Sequence, residues 1–293
     1  MISKIPIFLM SLAFLFLFSK NSLVFSEESE LKKEFWANGQ KKTKERYKGK
    51  NLDGLSIYFY ETGIKMLEVN YNNGKNHGLK THWYPNGKIW YERNYKLGKQ
   101  DGLWTEWFFN QKIKSKEHYK DGEKDGLSIS WYANGQKLYQ RSFKNGEKDG
   151  LDTEWYLNGN KRMEKHYKKG LKDGLNIKWF PNGQKTLEEH YKNGKKNGLS
   201  ISWYENRQKL YQRNYKDGEK DGLDTEWYLN GNKWYELIYK NGLKDGLDTE
   251  WYLNGNKRME KHYKKGLKDG RWTKWSKDGK KIYEKNFKNG NEL

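Results

Sequence analysis

The sequence predicts an all-β protein: an elongated array of antiparallel β-hairpins that forms a β solenoid or one coiled single sheet. A 24-residue unit recurs ten times without insertion or deletion. Within each unit, apolar and polar residues alternate with period two in both halves, which is typical of strands. The frame is marked by the glycines Gly54, Gly78, Gly102, Gly126, Gly150, Gly174, Gly198, Gly222, Gly246 and Gly270.

Composition limits how such an array can be stabilised. Only 34% of the residues are hydrophobic, 16% are aromatic and 33% are charged. Broad aromatic side chains must therefore supply most of the burial, and their abundance argues against a disordered chain. The absence of cysteine excludes disulfides, zinc–thiolate sites, a thiol nucleophile and a lipid-modified cysteine.

Residues 1–26 differ in composition from the rest and are predicted to be a signal peptide or an N-terminal anchor. An apolar run from Ile5 to Phe18 lies between Lys4 and Lys20. The run is shorter than the roughly 20 residues of a membrane span and fits a signal-peptide core. The protein is therefore expected to be exported to the periplasm, the cell surface or the medium. The alternative is a membrane anchor formed by an uncleaved N-terminal segment.

Each unit is expected to be a strand, a tight turn, a second strand and a loop. The segment Pro85-Asn86-Gly87 suits a type I turn followed by a left-handed glycine. This combination predicts a three-residue hairpin loop with a glycine bulge. Gln111 and Arg207 replace that glycine in two units. With this loop, the following residues of the Gly150 unit are expected to share the buried face: Leu151, Thr153, Trp155, Met163 and Tyr167.

The array has distinct ends. Residues 27–52 are predicted to be a linker and a degenerate N-terminal cap repeat, while residues 53–293 hold the ten repeats. Arg271 and Ser276 replace the usual leucine and tyrosine in the last unit, as a polar cap requires. A sheet of this many strands is expected to coil or curl.

The pattern Asp-Gly-Leu-x-x-x-Trp-Tyr-x-Asn-Gly-x-Lys, clear from Asp149 onward, resembles the bacterial variant of the MORN repeat. It is similar to repeats of proteins catalogued as YwqK-type antitoxins. The resemblance implies β-hairpin arrays, membrane-proximal scaffolding and phospholipid binding. It also implies the alternative function of an antitoxin-like protein that neutralises a partner toxin.

Catalysis and metal binding are not expected. His118, His166, His190 and His262 hold one repeat position, so the nearest pair is roughly 10 Å apart across two strand spacings, too far to share a metal ion. Asp152 and Glu154 share a face and could act as acid and base in glycoside cleavage. Such pairs recur opposite strands rich in Lys and Arg, which favours surface ion pairing. No unit has chemistry of its own, so neither an enzyme nor a cofactor is expected.

One linear feature is a candidate anion-binding edge. Nine lysines recur every 24 residues; we call them the lysine edge: Lys96, Lys120, Lys144, Lys168, Lys192, Lys216, Lys240, Lys264 and Lys288. A second lysine set is expected to follow in the same loops: Lys124, Lys148, Lys172, Lys196, Lys220, Lys244 and Lys268. The net charge of +20 favours a protein partner or an anionic envelope component, such as a lipid headgroup or a glycan. Export makes nucleic acid an unlikely partner, and the alternative role of these lysines is solubility.

The first hypothesis is thus an exported, non-enzymatic repeat protein that binds or scaffolds at the cell envelope.

Overall fold

The structure, a computed structural model, describes residues 28–293, and this part of the chain is one open antiparallel sheet of 25 strands. The predicted all-β hairpin array is confirmed, as a single sheet. The predicted signal peptide or anchor, residues 1–26, lies outside the described residues. Within residues 28–293, no helix is long and apolar enough to cross a membrane.

The strands have the following bounds: β1 (Ser29–Phe35), β2 (Lys41–Lys48), β3 (Asn51–Leu52), β4 (Gly54–Phe59), β5 (Lys65–Asn72), β6 (Lys75–Trp83), β7 (Ile89–Lys96), β8 (Lys99–Trp107), β9 (Ile113–Lys120), β10 (Glu123–Trp131), β11 (Lys137–Lys144), β12 (Glu147–Trp155), β13 (Lys161–Lys168), β14 (Leu171–Trp179), β15 (Lys185–Lys192), β16 (Lys195–Trp203), β17 (Lys209–Lys216), β18 (Glu219–Trp227), β19 (Lys233–Lys240), β20 (Leu243–Trp251), β21 (Lys257–Lys264), β22 (Leu267–Lys268), β23 (Gly270–Trp275), β24 (Lys281–Lys288) and β25 (Asn291–Glu292).

Strands pair in chain order, so the sheet is a continuous meander. β12 pairs with β11 before it and with β13 after it, and the same rule holds along the array. The main packing between elements is between strands adjacent in the sheet. At the start, β1 and β2 form a complete hairpin, from Ser29 to Lys48. The segment expected to be a degenerate cap therefore provides a full hairpin.

The first turn of each unit has the predicted three-residue loop. Tyr156 N donates to Asn160 O (2.8 Å), and Gly159 N donates to Tyr156 O (2.9 Å). Gly159 has a φ of +87°, the left-handed conformation that a glycine bulge requires. The Asn158 side chain closes the loop by accepting from Asn160 N at 3.0 Å.

The predicted buried face is wrong because a second bulge follows this loop. Trp155 lies opposite Lys161, but Glu154 lies opposite Met163, so Arg162 is an extra residue in its strand. An extra residue moves every following side chain to the other face. Two faces follow for the Gly150 unit. The tyrosine face carries Asp152, Glu154, Met163, Lys165 and Tyr167, and the tryptophan face carries Leu151, Thr153, Trp155, Glu164 and His166.

Each face buries a residue near the middle of the strand. Asp152 is 2% exposed and Thr153, which was expected to be buried, is 4% exposed, whereas Leu151, also expected to be buried, is 37% exposed. The buried hydrophobic residues in the described part of the chain are Val69, Leu237 and Phe287. Because residues 28–293 form a single sheet, long and aromatic side chains shield the small residues beneath them.

The segment expected to be a loop is a second tight turn. Asn193 and Gly194 have φ values of +49° and +80°, as in a two-residue type I′ turn. Asn193 N donates to Asp173 Oδ2 of the preceding unit (3.0 Å), and Gly194 N donates to Lys172 O (2.8 Å). An aspartate precedes eight of the ten frame glycines and, as Asp173 does, holds the next unit's turn in place.

Glycine is required at the frame position because the backbone has a positive φ there and a neighbouring side chain leaves little room for a Cβ. Gly174 has a φ of +112°, and a Cβ at this position would lie 3.2 Å from His166 Cβ. The His166 Nδ1 donates to Leu175 O at 2.7 Å. His118, His190 and His262 make the equivalent bond at 2.9 to 3.0 Å. These histidines therefore fasten neighbouring units.

Tyrosines at the three-residue loops also join the units. The Tyr156 hydroxyl donates to Trp179 O of the next unit at 2.9 Å. Equivalent bonds, 2.7 to 3.0 Å long, are made by Tyr60, Tyr84, Tyr132, Tyr204, Tyr228 and Tyr252. Ser276 takes this place in the last unit, so the last unit has no tyrosine hydroxyl at this position to bond to a following unit.

Replacing Arg207 by glycine is expected to stabilise the protein by about 1 kcal/mol, because Arg207 has a φ of +69° where most units carry glycine. Chemical denaturation followed by tryptophan fluorescence measures the change. Arg207→Ala is the control: it removes the side chain and keeps the Cβ, so it should give no stabilisation. A lower midpoint for Arg207→Gly would contradict the strain argument.

The lysine edge and the tyrosine face as candidate sites

The lysine edge is formed by the last residues of the second strands. Lys168 ends β13 and Lys192 ends β15, each directly before a type I′ turn. All nine lysines of the edge are exposed. Neighbouring members are separated by two strands, or about 10 Å. The edge is therefore a regular row of ammonium groups in solvent.

Few carboxylates neutralise this row. Among the nine lysines, within residues 28–293, an ion pair within 4.0 Å is made by Lys288 alone, whose Nζ lies 3.5 Å from Asp269 Oδ1. The aspartates before the frame glycines accept hydrogen bonds from turn amides, as Asp173 does. The other eight ammonium groups keep their charge available to a partner.

The second lysine set does not belong to this edge, and that prediction is wrong. These seven lysines lie within strands on the tyrosine face, each half-buried over an aromatic ring. Lys148 Nζ is 4.8 Å from the ring centroid of Tyr167 and 2.5 Å from Asp152 Oδ2. All seven ammonium groups thus lie over aromatic rings, and five of them also form ion pairs: Lys124, Lys148, Lys196, Lys220 and Lys244.

Leucines on the tryptophan face lie beside the lysine edge. Leu151 pairs with His166, two residues before Lys168 on the same face. Six leucines at this position are 37 to 43% exposed: Leu55, Leu79, Leu103, Leu151, Leu223 and Leu247. One side of the sheet thus presents a basic row next to a partly exposed apolar row.

The carboxylate pairs form ion pairs, as expected, but in clusters that are not at the surface, since Asp152 is buried and Glu154 half-buried. Arg141 Nε lies 3.1 Å from Asp152 Oδ1, and Arg141 Nη2 lies 2.9 Å from Glu154 Oε1. Burial opposes the charge of Arg141, but Asp152 and Glu154 raise its pKa above the usual value. The carboxylates are held by cations, so their role is structural.

The same cluster recurs in the Gly222 unit. Asp224 is 1% exposed and accepts from Arg213 Nε (3.1 Å), Lys220 Nζ (2.5 Å) and the Tyr235 hydroxyl (2.9 Å). Burial raises the pKa of Tyr235, and the Asp224 charge raises it further. In residues 28–293, no group of three or more His, Asp or Glu side chains is arranged to hold a metal ion.

A known repeat family matches six segments of the chain. The MORN repeat variant matches residues 52–73, 76–97, 100–121, 124–145, 172–193 and 268–289. Among solved structures, the crystal structure of TcdB2-TccC3 is similar at 9% identity and a TM-score of 0.19; the match covers 90% of this chain and 18% of that chain. No curated protein matches the chain. The six matched segments share one register with the units between them, and the chain belongs to the MORN repeat variant family.

Proposed function

We propose that the protein is an exported, non-enzymatic binding or scaffolding module whose lysine edge contacts an anionic component of the cell envelope. The observation that carries the proposal is the row of nine exposed strand-end lysines, eight of which make no ion pair within 4.0 Å in the described chain. MORN repeats are typically binding or scaffolding modules, in keeping with this assignment. Export rests on the apolar run in residues 1–26.

The edge suits a partner with repeating negative charge. Each lysine contributes little by itself, because exposed charges are screened over about 8 Å at physiological salt. Spacing of about 10 Å lets several contacts add along an extended surface. The neighbouring leucines, 37 to 43% exposed, supply apolar contact, which favours a lipid interface among the anionic partners.

Changing Lys168, Lys192, Lys216 and Lys240 together to Gln should weaken binding to vesicles containing anionic lipid by at least tenfold, or about 1.4 kcal/mol. The fold should survive, because these side chains are exposed. Binding of the unmodified protein should fall steeply as salt increases. Co-sedimentation with anionic and neutral vesicles measures both effects, and an acidic glycan serves as the second anionic surface.

The matched control changes Lys161, Lys185, Lys209 and Lys233 to Gln, which removes equal charge at the opposite edge. Three of these lysines pair with Glu, as Lys161 does with Glu164, so thermal unfolding of both variants is measured alongside. The control should lose less affinity. Equal losses would show that net charge alone attracts the ligand, and the absence of binding at low salt would leave the lysines a solubilising role.

A further inference from the structure

The tyrosine face of the Gly174 unit differs from that of the Gly150 unit. Asn176 and Lys178 stand where Asp152 and Glu154 stand one unit earlier. Both carboxylates of the buried cluster are therefore replaced, one of them by a cation. The expectation that every unit repeats the same chemistry is wrong at this position.

Three lysines remain around the missing carboxylates. Lys165, Lys172 and Lys178 line a cavity of about 230 Å³. In the Gly150 unit, the equivalents of Lys165 and Lys172 hold the Asp152 carboxylate. In the described chain, none of the three lysines lies within 4.0 Å of a carboxylate oxygen, in contrast to their counterparts. Burial lowers the pKa of Lys165, and the Lys172 charge lowers it further against the opposing effect of Asp152.

The acidic group on the cavity wall is already engaged. Glu189 also lines the cavity, but its carboxylate accepts from Lys196 Nζ at 2.6 Å and from the Tyr191 hydroxyl at 3.0 Å. Lys172 Nζ lies 4.6 Å from the Tyr191 ring centroid, which positions the ammonium group without neutralising it. The lining thus keeps a net positive charge.

The floor of the cavity adds a second requirement. Asn176 is 5% exposed and lines the cavity, yet its Oδ1 has no hydrogen-bond partner in the protein. A buried carbonyl oxygen without a donor costs free energy. A matching ligand must therefore carry anionic oxygens for the lysines and an O–H group for Asn176.

We propose that this cavity is a binding site for a hydrogen phosphate group, either as the free ion or as a monoester. Such a group offers several anionic oxygens to lysine ammonium groups and, near pH 6, retains an O–H group that can donate to Asn176. The Asp152 carboxylate of the Gly150 unit shows that the chain holds an anionic group at this register position. The site lies on the face opposite to the lysine edge and does not depend on the function proposed for that edge.

Calorimetric titration of the full chain with inorganic phosphate, sulfate and glycerol 3-phosphate, at about pH 6 and constant ionic strength, tests the site. Phosphate should bind at one site at least tenfold more tightly than sulfate, which is of similar size but lacks the O–H group. Comparable binding of glycerol 3-phosphate identifies a monoester as the ligand, and its exclusion identifies the free ion. Equal affinities for phosphate and sulfate would overturn the proposal.

Asn176→Asp installs the carboxylate that the Gly150, Gly222 and Gly246 units carry at this position. It should weaken phosphate binding by at least tenfold while leaving the melting temperature equal or higher. Lys195→Gln makes the same change in net charge at an exposed position of the same unit, outside both the cavity and the lysine edge, and should alter binding less than twofold. Full phosphate binding by Asn176→Asp, or equal losses in both variants, would show that the cavity is not the site.

Discussion

Gly174→Ala is expected to lower the free energy of unfolding by about 3 kcal/mol. An alanine at a φ of +112° costs about 1 to 3 kcal/mol in backbone strain. Its Cβ would also lie 3.2 Å from His166 Cβ and 3.5 Å from His166 Cγ, so the histidine that bonds to Leu175 O must move. Overpacking of this kind adds about 1 to 3 kcal/mol.

Gly194→Ala is the matched control for this prediction. Gly194 also has a positive φ, +80°, but a Cβ there would meet Leu171 Cδ2 at 3.5 Å, which is ordinary contact. The expected loss is about 1 kcal/mol, from backbone strain alone. Chemical denaturation of both variants, followed by tryptophan fluorescence, separates the two effects. Similar losses would show that close approach to His166 is not what excludes a side chain at Gly174.

Local signals were sufficient to predict the hairpin and its first turn. Proline followed by Asn-Gly, as in Pro85-Asn86-Gly87, is specific for a type I turn and a left-handed residue. The positive φ at Gln111 and Arg207 confirms that the backbone, and not the residue type, fixes this conformation. A fixed 24-residue period then carries the geometry of one unit to all the others.

The assignment of faces failed because the second bulge has no local signal. Arg162 is the extra residue, and neither glycine nor proline marks it in the sequence. Both registers place aromatic residues on each face, so burial could not distinguish them. The Gly174 unit, with Asn176 and Lys178 in place of the acidic pair, keeps the same register, so the ion cluster around Asp152 alone does not decide it.

The candidate sites were predictable to different degrees. The glycine of the second turn locates the strand end in the sequence, and the lysines of the edge are exposed there; anion binding by the edge stays a prediction. Lys148 and its equivalents were placed wrongly, because their contacts with rings such as that of Tyr167 depend on the register. The cavity at Asn176 had a signal, since Asn176 and Lys178 depart from the acidic pair of neighbouring units. That these two substitutions leave a basic cavity could be recognised only once the structure placed Lys165 opposite Asn176 on the neighbouring strand.

The buried ion clusters lead to the second large expected effect: Asp224→Ala should lower the free energy of unfolding by about 2 to 3 kcal/mol. The variant removes the acceptor shared by Arg213, Lys220 and the Tyr235 hydroxyl. The side chains of Arg213 and Lys220 are 23% and 29% exposed. Partial hydration of these cations keeps the cost below that of a fully buried, unpaired charge.

Ser200→Ala provides the control, since Ser200 holds the same repeat position and is also 1% exposed. Its hydroxyl has no hydrogen-bond partner in the protein, so its removal should be neutral or stabilising by up to about 1 kcal/mol. Denaturation midpoints of the two variants, measured in one buffer, give the difference directly. If Ser200→Ala destabilises the protein as much as Asp224→Ala does, the loss arises from removing side-chain volume at this position and not from breaking the ion cluster. A loss specific to Asp224 would establish that a single-layer sheet obtains part of its stability from ion clusters between its repeats.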